Sequence, residues 1–319
     1  MANPAHRDFR IATANEFARL EQRYNSTLFQ LFSIDQELVD QIGELCGALT
    51  VGHPPFPIAL HIVELRGFKA PKVEIVRSPS RPVTLTAKLG ELSLPDGKYL
   101  SICAPVVHTN TGTQEKEARE AIARSLGLFV ASLGRGFLIG RAAEFVVAAG
   151  DELRQSFISD AIRAPQAWDF ARWGHSTDLS DLAKAIELSD ADLRSRIAYG
   201  ASIFGRAALE HDDTFRFTLY WLALEVIADG GEKEVTGHLA NAYNIDLKAV
   251  RDGLELRHCI RMRADLFHKG QPPQLTPRTE RLLQGFFLDL LRYELGLPCN
   301  RLVEQLIASE ARTASAGMP

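Results

Sequence analysis

At 319 residues, with 46% hydrophobic and 24% charged side chains, the chain has the length and composition of two ordinary globular domains. Its formal net charge of -4 excludes a surface coated in basic residues for non-specific nucleic-acid binding, while leaving room for a local basic patch. Its four cysteines, Cys46, Cys103, Cys259 and Cys299, form no CxxC pair and have no histidine at zinc-ligand spacing, so no disulfide scaffold, metal or cofactor is expected.

The opening residues, MANPAHRDFRIATAN, lack the apolar stretch of a secretory signal. The longest apolar run, 126–150, is broken by Arg135, Arg141 and Glu144, short of the roughly 18 residues a membrane span needs. Together with the scattered thiols, this leads us to expect a cytoplasmic protein with no membrane contact.

In chain order, Phe17, Leu20, Leu28, Leu31 and Phe32 recur at helical spacing, and Ser33 can cap a second helix over 34–49, so 13–50 reads as helical. The prolines of HPPFP at 53–57 stop it. Short runs rich in Val, Ile, Leu and Thr follow at 58–66, 72–77, 83–89 and 99–107, separated by Gly and Pro, which predicts strands. SLPDGKY at 93–99 is a turn signal. Helices are expected over 117–133 and 137–157, with GRGFLIG at 134–140 as the turn between them. That glycine pattern follows a helix and has no Lys-Ser/Thr after it, so it is not read as a nucleotide loop. Residues 1–163 therefore read as an α+β domain, a small mainly antiparallel sheet with helices packed on it.

Residues 164–177, with Pro165, Gly174, Trp168, Phe170 and Trp173, read as a linker. From 178 to 308 the pattern is all helical, an α-bundle. Helices are expected over 179–187, over 191–209 with Ser189 as cap, and over 214–228 with Asp212 or Asp213 as cap and Gly230-Gly231 after its end. Further helices follow over 232–243, from Asp246 to about His268, and over 278–295 opened by Thr276-Pro277. Residues 309–319, SEARTASAGMP, read as a disordered tail.

The segment LELRHCIRMRADLFHKGQPP at 254–273 gathers Arg257, His258, Arg261, Arg263, His268 and Lys269 against Asp265 alone between 257 and 269. On a helical wheel Arg263 falls inside the apolar face set by Leu256, Cys259, Ile260, Leu266 and Phe267. Arg257, Arg261 and His268 share a neighbouring stripe. A guanidinium on an apolar face needs a partner. The helix over 214–228 offers Glu225, on the side of Phe217, Tyr220, Trp221, Leu224 and Ile227, so Glu225 and Arg263 are expected to meet. The alternative is a Glu225 that simply faces water at the helix boundary.

FRFTLYWLALEVIADG at 215–230 followed by RMRADLFHKG at 261–270 resembles HEPN domains of the Apea-like group, over about 190–297. The resemblance rests on an aromatic-rich helix ending in an acidic residue and on the Arg263-x4-His268 pair with Gly270 after it. The polar residue often found directly after the arginine stands one place later, at Asp265, with Ala264 in between. The resemblance implies a homodimer in which Arg263 and His268 of two copies converge for metal-independent RNA cleavage. Glu225, Asp265 and Arg261 would support them, and Arg257, Arg261 and Lys269 would contact RNA. A histidine suits proton transfer at the ribose 2′-hydroxyl or the leaving oxygen, and an arginine suits the developing phosphorane charge. A role in phage defence or stress rests on the resemblance alone. Many HEPN domains are instead non-catalytic dimerisation modules, and here the N-terminal domain would then meet a ligand or partner. A plainer role for the pair is an ion-paired arginine and a histidine at a helix C-terminus.

Overall fold

The computed structural model describes residues 10–12, 26–36, 39, 50–53, 56–65, 69–76, 86–106, 113–133, 138–148, 153–158 and 179–316. The chain divides into two compact units, one of residues 10–122 with 137–165, the other of 1–9, 123–136 and 166–319. Residues 123–136, assigned to the first domain from sequence, thus cluster with the helical unit.

The first unit is α+β. Its strands are β1 (Arg10–Ala12), β2 (Ser26–Ile34), β3 (Thr50–His53), β4 (Phe56–Leu65), β5 (Lys69–Val76), β6 (Thr86–Ser93), β7 (Gly97–Val106), β8 (Leu138–Ala148) and β9 (Leu153–Ile158). A seven-stranded sheet runs β1-β3-β4-β7-β2-β8-β9, and β5 and β6 form a separate pair. Every pairing is antiparallel. The four strands expected between 58 and 107 correspond to β4, β5, β6 and β7.

Two helical expectations are overturned. Residues 26–34, read as helix, form the inner strand β2 between β7 and β8. Leu28, Leu31, Phe32 and Ile34 are buried, and a strand covered on both faces loses the alternation that would distinguish it from a helix. The helix expected over 137–157 is instead β8 and β9. Glu144 stands directly opposite Gln30 of β2. Gln30 donates to it at 2.7 Å. Thr50, also inside the helical reading, opens β3; the rest of that reading over 13–50, apart from residues 35, 36 and 39, and the 134–137 part of the GRGFLIG turn lie outside the described residues.

The first half of α1 (Thr113–Leu133) belongs to this unit and sends Arg119 to Glu144, with Nε 2.8 Å and Nη2 2.7 Å from Oε1. Leu31, Leu94, Tyr99, Ala142, Ala143 and Phe145 form one buried cluster. The turn expected at 93–99 is present, closed by the Tyr99 hydroxyl donating to the Pro95 carbonyl at 2.7 Å.

The second unit is helical. It contains α2 (Leu179–Leu188), α3 (Ala191–Leu209), α4 (Asp213–Ile227), α5 (Glu232–Tyr243), α6 (Leu256–Lys269), α7 (Pro277–Glu294) and α8 (Leu302–Ala316), besides the second half of α1. Residues 282–291 of α7 are buried without interruption, the mark of a central helix. It packs against α4, α5, α6 and α8. Phe287 stacks on Phe204 of α3 at 4.1 Å between ring centroids. The second half of α1 approaches α3 through glycine: a Cβ on Gly127 would lie 1.8 Å from the Ala201 carbonyl oxygen, so no larger residue fits that crossing.

The caps explain most of the boundaries. Asp212 accepts from the Phe215 amide at 2.9 Å, and Thr276 from the Thr279 amide at 3.2 Å with Pro277 at the first helical position. The cap of α3 is Asp190 rather than Ser189, whose hydroxyl donates back to the Ala185 carbonyl. Asp246 does cap the segment after it, but the expected continuous helix to His268 is broken. A π-helical turn over Ala249–Gly253 ends before Glu255, which adopts a left-handed φ of 61°, and α6 starts afresh at Leu256. Such a backbone costs a non-glycine residue about 1–2 kcal/mol. The Arg278 guanidinium grips the Glu255 carboxylate with both Nη groups, which offsets that cost. Residues 309–316, expected in a tail, continue α8.

Asp289 of α7 is fully buried, and among the described residues no cation pairs with it. It accepts from the Tyr243 hydroxyl, from the Leu302 amide at 2.7 Å and from the Cys299 thiol at 3.4 Å, and so caps α8 from outside that helix. Burial pushes its carboxyl up to about 6, against hydrogen bonds that pull it down. Among the described residues, no helix is long and apolar enough to cross a membrane.

Candidate functional site

Helix α6 is anchored at its start by buried Leu256 and Cys259. It ends at Gly270, whose φ of 65° lets its amide reach the Leu266 carbonyl (3.0 Å) and the Gln271 amide reach the Asp265 carbonyl (3.2 Å). The helix is therefore anchored at its start and sharply terminated at its end.

Arg263 meets Glu225 of α4 as the wheel predicts, with Nη2 3.2 Å from Oε1 and side-chain exposures of 30% and 20%. The same carboxylate oxygen accepts the Trp221 indole N–H at 2.7 Å, and the guanidinium lies 5.4 Å from the Phe267 ring centroid. A pair this exposed is worth on the order of 1 kcal/mol in stability. Its larger effect is orientation, because the carboxylate and an aromatic face hold the guanidinium, while the Trp221 indole N–H holds the carboxylate. Its Nε is buried with no hydrogen-bond partner.

His268 is exposed and makes no hydrogen bond among the described residues. It lies about 140° around the helix from Arg263, so the two do not converge within one chain. Arg257, Arg261 and His268 share the outward stripe. Arg257 is paired with Asp252 at 2.9 Å, and Lys269 with Asp265 at 2.7 Å. Asp265 thus serves Lys269 rather than Arg263 or His268. Arg261 has no ion-pair or hydrogen-bond partner among the described residues.

Sequence reasoning missed several features here. Trp221 as a donor to Glu225 was findable, since the two are four residues apart on one helix face. The Phe267 contact was equally local. A cleft of about 460 Å³ beside the first half of α6 was not legible, because distant elements build it. Arg251, Asp252, Glu255, Arg257, His258, Arg261, Thr276, Arg278 and Thr279 line it. Two large apolar side chains beside the Glu225–Arg263 pair are also exposed: Leu222 (38%) and Phe267 (57%). Leu222 is three residues before Glu225, and Phe267 four after Arg263, so both flank the ion pair. No group of side chains among the described residues could hold a metal ion.

No protein-family model, curated protein or solved structure matches the chain.

Proposed function

We propose that the helical unit is a HEPN-like module that acts as a homodimer on RNA and cleaves it without a metal ion. The observation that carries this reading is the placement on α6, five residues apart, of a positioned guanidinium and an open imidazole. Glu225, itself held by Trp221, and Phe267 fix Arg263 through one Nη and one face, and the other Nη has no hydrogen bond among the described residues. That group can receive phosphate oxygens as charge develops. His268, exposed at the helix exit, can take the 2′-hydroxyl proton or protonate the leaving oxygen. The angle of about 140° between them calls for a second copy, whose two-fold-related α6 would bring the missing partner opposite. Exposed Leu222 and Phe267 beside the ion pair give that dimer an apolar seam. A role in phage defence or stress response would follow from the same resemblance.

One observation favours a second reading. Glu225 already neutralises Arg263 inside its own chain, as in a purely structural ion pair. The helical unit would then only dimerise, and the sheet unit would meet a ligand or partner. Incubating the wild type and His268→Ala with total RNA in EDTA separates the two. Cleavage that disappears in the variant supports the enzyme; intact RNA with both proteins supports the non-catalytic module.

A further inference from the structure

The cleft beside the first half of α6 lies away from Arg263, and its chemistry is distinct. All nine lining residues are polar or charged, and His258 is the one aromatic among them. Four are arginines, against two carboxylates.

The carboxylates and their neighbours are committed. Asp252 holds Arg257 at 2.9 Å, and Glu232, outside the cleft, lies 3.6 Å from Arg251. Glu255 and Glu310 together clamp Arg278, with Glu310 Oε2 2.7 Å from its Nε. His258 Nε2 is 3.3 Å from the Thr279 hydroxyl. Arg261 is left over: an exposed guanidinium on the cleft wall with no carboxylate of its own among the described residues. Arg251 adds an Nε with no hydrogen-bond partner. The surplus is one of cationic donors. The N-terminus of α7 is not the recognition element, because Thr276 already caps it and Pro277 brings no N–H.

We infer that this cleft binds phosphate oxygens, from a phosphodiester or oligophosphate chain, with Arg261 as the primary ligand-binding group and Arg257 and His258 as secondary ones. A guanidinium fork matches a pair of phosphate oxygens, and an anion can compete with Asp252 for the half-exposed Arg257. His268 lies on the same stripe, about 10 Å further along the helix axis. In the RNA-cleaving reading above, on which this part rests, the cleft would hold the strand by its backbone and deliver a neighbouring linkage to His268. Recognition would be carried by the phosphate backbone, which holds no sequence information.

The test uses the full chain and two probes, inorganic triphosphate by calorimetry and a single-stranded RNA oligomer by fluorescence anisotropy across a salt series. Triphosphate should bind the wild type, and Arg261→Ala should weaken it roughly tenfold. For RNA, Arg261→Ala should reduce the slope of log affinity against log salt by about 0.7 for each phosphate that Arg261 neutralises. Arg261→Lys should recover part of both, and Arg312→Ala, which removes an equal charge at an exposed position of α8, should change neither. Triphosphate binding that depends on Arg261, with no RNA binding, supports the cleft and sinks the RNA reading. RNA binding that ignores Arg261→Ala overturns the cleft and leaves that reading standing. A wild type that binds neither probe overturns both.

Discussion

Two polar centres in the helical unit invite comparison. Around Asp289 every group is answered from within the fold: a tyrosine hydroxyl, a backbone amide and a thiol converge on one buried carboxyl. Along the outward stripe of α6 the opposite holds, with Arg261 and His268 exposed and without partners among the described residues. A satisfied buried network fixes packing and specifies the fold. An unsatisfied row of donors on a rigid helix adds nothing to stability, and it gains a purpose only when a ligand or second copy supplies acceptors. Arg263 stands between these cases, held by Glu225 on one side and open on the other.

Substitutions at the two centres should therefore separate cleanly. The largest effect is expected from His268→Ala, with RNA cleavage in EDTA falling by roughly a hundredfold or more and the melting temperature unchanged. A melting temperature that falls with activity would move His268 into the structural class. Next comes Asp289→Ala, which strips the cap from α8 and leaves the Tyr243 hydroxyl and Leu302 amide without an acceptor. Urea unfolding should show a loss of about 2–4 kcal/mol.

The pH dependence sharpens the same contrast. Asp289 has its carboxyl raised from 3.8 to about 6 by burial, so between those values the folded state binds the proton more tightly than the unfolded one. Its contribution is present in full below about pH 4 and is lost as pH rises through about 6, on the order of 2–3 kcal/mol. Asp289→Asn, neutral throughout, should flatten that part of the stability profile between about pH 4 and 7. A variant profile parallel to the wild type would show that Asp289 does not titrate there. The smallest effect belongs to Glu225→Ala, about 1 kcal/mol in stability, for a pair that is partly exposed. If Glu225 positions Arg263, activity should drop more steeply than stability does.

How much of this was legible in the sequence follows from the range of the interactions. Glu225 and Arg263 were readable because each is a charge on an apolar helical face, and two such faces must pack. The Asp212 and Thr276-Pro277 caps were readable because a cap acts within three residues. β2 and β8 were not, since burial on both faces removes the alternation of β2, and a register irregularity between Arg141 and Ala143 interrupts that of β8. The break at Glu255 was hidden for a different reason. Its left-handed backbone is held by Arg278, 23 residues away, and no local pattern reports that pairing. The cleft depends on the same break, so it was hidden too.

The central claim is that Arg263 and His268 work across two copies rather than within one. Mixing Arg263→Ala with His268→Ala tests it directly, each variant being assayed alone and then together against RNA in EDTA. Each should be inactive alone. Randomly assorted dimers should regain about a quarter of wild-type cleavage, because half are mixed and each mixed dimer holds one intact composite site. A mixture as silent as its components, beside an active wild type, would contradict the claim.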